Sequence, residues 1–123
     1  MEKEKSKILF VCTMNKSRSL TADHIYQDDP RFEVRSAGTS YTATNSVISP
    51  ENLKWADYII VMEGFHRGWI RDAFPEIYET KNISGLYIRD IYGYMQPELI
   101  ELIKQKFENV WNRIERINKI IEK

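Results

Sequence analysis

Cys12, Arg18 and Ser19 have the types and spacing needed to handle a phosphate ester. They lie in the stretch Val11-Cys12-Thr13-Met14-Asn15-Lys16-Ser17-Arg18-Ser19. A phosphate dianion needs several donors arranged as a cup. A loop of this length, here Thr13, Met14, Asn15, Lys16 and Ser17, can curl so that successive backbone N–H groups face one centre. A helix N-terminus behind it adds partial positive charge. Arg18 offers a planar fork to two phosphate oxygens. The same donors stabilise a thiolate: cysteines at helix N-termini beside cations titrate at roughly 3.5–7.5 instead of about 8.5. In that setting Cys12 is a nucleophile for in-line attack on phosphorus.

Each neighbour has an expected task. Ser19 hydrogen-bonds the Cys12 sulfur and stabilises it as a leaving group. Asn15 tolerates left-handed backbone and braces the loop. Ser36, at the end of the neighbouring strand, is expected to orient Asn15, and Lys16 to point a cation toward the mouth. The leaving alkoxide calls for a carboxylic acid on another loop. Asp90 fits best, because it follows the last strand and emerges on the same sheet edge as Cys12. Tyr92 and Tyr41 are the candidate pocket walls. His24 and His66 lie on predicted helices without metal-ligand spacing; surface or packing roles are favoured, with a place for His66-Arg67 at the border of the site as the alternative, and no metal or cofactor is expected.

The elements that must position these residues alternate. Lys7–Cys12 is a short apolar run, read as a buried strand, and Leu20–Gln27 a helix ended by Asp28-Asp29-Pro30. Phe32–Ser36 is a second strand, and Gly38 opens a Ser/Thr-rich loop. Ser49-Pro50-Glu51 starts a helix with a capping hydroxyl, a first-turn proline and an acid, and it runs to Ala56. Asp57–Met62 is a third strand, Glu63–Phe74 a helix and Asn82–Ile88 a weaker strand interrupted by Gly85. Pro97 opens the longest helix, to about Ile121, with Leu99, Ile103, Phe107, Val110, Ile114, Ile117 and Ile121 as one apolar stripe. This alternation predicts an α/β fold with a parallel sheet and helices on both faces. Cys12 ends the first strand, where ligands bind in such folds.

A length of 123 residues predicts a single domain, residues 1–123. Formal net charge is zero, so bulk electrostatic binding to nucleic acid or to an anionic membrane is not expected. No apolar run approaches membrane-spanning length. The lone cysteine excludes an internal disulfide and, with no export signal, fits a reducing cytoplasm.

The chain resembles the low-molecular-weight protein tyrosine phosphatase family. The resemblance rests on Lys7–Ser19 (KILFVCTMNKSRS), Ala22, Arg35–Thr39 (RSAGT), Ala56–Glu63 (ADYIIVME) and Asp90–Tyr92 (DIY). It implies a three-layer, four-stranded parallel sheet in order 2-1-3-4. It also implies two-step catalysis through phosphocysteine, with Cys12 as nucleophile, Arg18 as phosphate clamp and Asp90 as acid. The chain looks most similar to a shortened bacterial branch. Met14 stands where glycine is common, Lys16 where an apolar residue is common, Ser17 in place of a second cysteine, Leu20 in place of proline, and Ile91 where proline follows the acid. A polar, open mouth suits a small phosphorylated metabolite or nucleotide as the alternative to phosphotyrosine. An arsenate reductase would need further cysteines, and a non-catalytic phosphate-binding module would not need Asp90. The expected partner is a phosphorylated substrate, and the expected state a monomer or weak dimer.

Overall fold

The computed structural model describes residues 4–122. Its elements are β1 (Ser6–Cys12), α1 (Arg18–Tyr26), β2 (Phe32–Gly38), α2 (Pro50–Trp55), β3 (Tyr58–Val61), α3 (Gly64–Ala73), α4 (Pro75–Thr80), β4 (Asn82–Gly85) and α5 (Pro97–Glu122). The strands form one four-stranded parallel sheet in the expected order, β2-β1-β3-β4.

Alternation along β1 builds the layers. Ile8, Phe10 and Cys12 face one apolar cluster with Ala22 and Tyr26 of α1 and Leu99, Ile103 and Phe107 of α5. Leu9 and Val11 face the other, with Leu53 of α2 and Ile70 of α3. A strand covered on both faces must be apolar at successive positions, which explains the unbroken run in β1. Aromatic rings fill the first cluster, with Phe32 against Trp111 at 4.8 Å and Phe10 against Phe107 at 5.4 Å between ring centroids.

The chain leaves β1 for β2 on one side and returns to β3 on the other. The crevice at the carboxyl end of β1 is therefore the switch point of the sheet. Cys12 lies there, in register with Gly38.

Three expectations change. The run 63–74 is followed by a separate helix, α4, because Pro75 cannot continue α3 but fits a first helical turn. β4 ends at Gly85, although Leu86 and Ile88 still bond to Val61 and Met62. The α5 stripe is core only over Leu99–Val110, while Ile117 and Ile121 are 48% and 74% exposed. At about 1.5 Å per residue the helix outruns the strands it covers.

Candidate active site

Residues 13–17 form a loop between β1 and α1, and its carbonyls are pulled outward by the Ser/Thr-rich segment after β2. Thr39 N donates to Cys12 O (2.9 Å), Ser40 N to Thr13 O (3.0 Å) and Thr44 N to Met14 O (2.8 Å). Asn45 Nδ2 donates to Asn15 O (2.7 Å). With the carbonyls held outside, the amides turn inward. Asn15, at φ 51°, makes the required left-handed step. Its own N–H points at Cys12 Sγ (3.2 Å). Ser17 precedes α1 without a side-chain cap, so the helix N-terminus faces the loop with its amides uncovered.

Gly38 allows the two segments to cross. A Cβ there would stand 2.4 Å from Thr13 O and 2.7 Å from Ala43 Cβ, far inside contact distance.

The sulfur sits on a short hydrogen-bond chain. Ser19 Oγ lies 2.8 Å from Cys12 Sγ, and Asn15 Nδ2 donates to the same Oγ at 2.8 Å. Because the amide donates to this oxygen, the hydroxyl proton is free to point at sulfur. Cys12, Asn15, Arg18 and Ser19 are all buried.

Arg18 is held by one nitrogen. Nη1 donates to Glu63 Oε2 and to the Ile88 carbonyl, each at 2.7 Å. That leaves the Nε/Nη2 edge as the fork, with Asp90 Oδ1 3.7 Å from Nε. Asp90 itself is 67% exposed. The hydrogen bond from Ile88 N to Met62 O carries the chain beyond β4 up to this point.

His66 is fully buried beneath the loop. Glu63 N donates to its Nδ1 (3.0 Å), and its Nε2 lies 2.9 Å from Thr13 Oγ1. Burial, assisted by the nearby Arg18 charge, holds its pKa down at about 4.

No protein-family model matches the sequence, and no curated protein matches it. Solved structures do match. An arginine phosphatase (YwlE) of Geobacillus stearothermophilus is 24% identical over 88% of this chain and 94% of its own, with a TM-score of 0.65. A low-molecular-weight protein tyrosine phosphatase of Streptococcus pyogenes is 18% identical over 88% and 92%, TM-score 0.68. The tyrosine phosphatase Wzb of Escherichia coli K30, solved with phosphate, is 17% identical over 89% and 99%, TM-score 0.70. The chain has the low-molecular-weight tyrosine phosphatase fold.

On that fold, the structure brings together Cys12, Thr13, Asn15, Arg18, Ser19 and Asp90. Met14 and Ser17 are half-buried in the loop, and Lys16 is exposed. Three expectations are corrected. Ser36 Oγ donates to Asp23 Oδ2 (2.6 Å), so it does not orient Asn15; Ser19 and Asn45 do. Tyr41 is 90% exposed and forms no wall. Tyr92 packs against the α1/α5 core and lines a hollow with Pro97 and Leu102 that contains no residue of the 12–18 stretch. Its ring gains more by covering that apolar surface than by standing at a polar mouth. Sequence reasoning gave Glu63 no role of its own and favoured packing over a place at the site for His66. The only local signal was their position directly after the strand neighbouring β1.

Proposed function

We propose that this chain is a cysteine-dependent phosphomonoester hydrolase. The observation that carries the reading is the Cys12 sulfur receiving the Asn15 amide and standing 2.8 Å from the Ser19 hydroxyl, within a loop that ends in a buried arginine. A side chain kept only for packing has no need of polar partners on its sulfur.

In this reading the phosphoryl oxygens lie on the loop amides and on the Nε/Nη2 edge of Arg18. Cys12 Sγ attacks phosphorus, the ester P–O bond breaks, and Asp90 gives its proton to the departing oxygen. Asp90, now a carboxylate, takes a proton from water. The oxygen of that water attacks phosphorus, the P–S bond breaks, and the Ser19 hydroxyl receives the returning thiolate. The amides hold the charge of the equatorial oxygens in both steps.

The substrate read here is a phosphorylated protein side chain, tyrosine phosphate by default. Tyr41 points outward and Tyr92 packs against the core, which favours a second reading, a small phosphorylated metabolite, because neither ring walls the mouth. We read residues 1–123 as one catalytic unit of bacterial, cytoplasmic type. No helix among the described residues is long and apolar enough to cross a membrane.

Cys12→Ser tests the reading. Turnover of para-nitrophenyl phosphate should fall below detection while inorganic phosphate still binds by calorimetry. Undiminished hydrolysis by this variant would sink the assignment.

A further inference from the structure

A second place for a ligand lies on the edge of the sheet. Among the described residues β4 pairs only with β3, so its other side is an open strand edge. Leu86 N donates to Val61 O and Ile88 N to Met62 O. Ladder alternation then turns the main-chain groups of Ile83 and Gly85 outward. A groove of about 380 Å³ runs along this edge.

The groove is positively charged. Arg67 of α3 borders it, as do Lys106 and Arg113 of α5, and no carboxylate lines it. None of these cations joins an ion pair among the described residues. Lys106 Nζ meets the Tyr87 carbonyl at 3.4 Å.

We propose that this groove docks an extended acidic segment of the protein substrate as an added strand on β4, with its carboxylates on Arg67, Lys106 and Arg113. Main-chain pairing to an open edge supplies affinity, and the side-chain contacts supply selectivity. α3 and α5 cover opposite faces of the sheet. Side chains of an added strand alternate between faces, so consecutive acids meet Arg67 and the α5 cations in turn. Lys106 and Arg113 stand two turns apart, about 10 Å along α5, a span of about three extended residues. A small anion would need cations converging on one point, whereas these flank a strip. The upper end of the groove is Tyr87, adjacent to Ile88, whose carbonyl holds Arg18. A segment bound there leads toward Cys12. In calling the segment part of a substrate, the inference rests on the phosphatase reading; the groove's affinity for an acidic strand does not.

The test is fluorescence anisotropy with a labelled, unphosphorylated peptide carrying Glu-Glu-Asp-Glu. Wild-type protein should bind it, and affinity should fall about tenfold or more in Lys106→Glu/Arg113→Glu and in Arg67→Glu. Raising salt from about 50 to about 300 mM should weaken it. Proline in the peptide's central position should also weaken it, because an added strand needs that amide. Turnover of para-nitrophenyl phosphate should stay within about twofold in these variants, since none of the three residues touches the loop. Equal binding by the charge-reversed variants would overturn the proposal. So would equally tight binding of a single-stranded oligonucleotide of the same charge, or complete displacement by inorganic phosphate at concentrations that saturate the Cys12 loop. Charge-dependent peptide binding in a protein that hydrolyses no phosphate ester would instead overturn the phosphatase reading and leave the docking groove standing.

Discussion

Thr13 and His66 lie 53 positions apart and share a hydrogen bond of 2.9 Å. Its direction is set by a third residue. The Glu63 amide can only donate, so Nδ1 of His66 accepts, the ring proton sits on Nε2, and Nε2–H donates to the Thr13 hydroxyl. Glu63 meanwhile holds Arg18 at 2.7 Å. Both ends of the 13–18 stretch are thus fastened to the start of α3 and the residue before it.

That arrangement requires a neutral imidazole, and its pKa of about 4 lies below the ordinary 6.5. Between those values the unfolded chain binds a proton that the folded chain refuses. Stability should therefore fall as pH drops from about 6.5 to about 4, by about 3 kcal/mol from this group. Urea unfolding at pH 7, 5.5 and 4 measures it. His66→Gln should show a shallower loss over the same window.

Asp90→Asn should slow hydrolysis of alkyl phosphates and other poor leaving groups by about 10²–10⁴ and activated aryl phosphates much less. A leaving-group series on purified protein checks this. An equal effect across the series would argue against proton donation from Asp90.

Ser19→Ala removes the hydroxyl 2.8 Å from sulfur. A hydrogen bond to a charged group contributes about 1.5–3 kcal/mol, so breakdown of the phosphocysteine should slow by about 10–150-fold. Rapid-quench kinetics should show a burst of alcohol release followed by a slow steady state.

Gly38→Ala places a methyl 2.4 Å from the Thr13 carbonyl, a main-chain atom that cannot swing aside. It should cost about 1–3 kcal/mol of stability. Inorganic phosphate affinity should fall as well, because the displaced atoms belong to the loop itself. Thermal unfolding with and without phosphate separates the effects.

The parts of this site that were legible in the sequence are those built by neighbours in the chain. Cys12, Arg18 and Ser19 announce themselves because strand, loop and helix follow one another without interruption. The β2-β1-β3-β4 order was implied by the family resemblance, and the helix from Pro97 by its apolar period. Residues whose roles arise across the fold were not legible. His66 reads as a bland helical residue until the fold brings Thr13 against it, and Ser36 reads as a partner for Asn15 until α1 presents Asp23 instead. Tyr92 carries no mark in the chain of whether its ring turns to the mouth or to α5. α4 was missed although Pro75-Glu76 repeats the signature used at Pro50-Glu51, because the run before Pro75 was treated as one helix.

Thr39, Ser40, Thr44 and Asn45 clasp the carbonyls of residues 12–15 within the protein itself. The conformational entropy of arranging the ring of donors is therefore surrendered when the chain folds, and an arriving oxyanion has little left to organise. Uptake of phosphate should track diffusional encounter, with its rate insensitive to solvent viscosity beyond the collision itself and with no slow second phase.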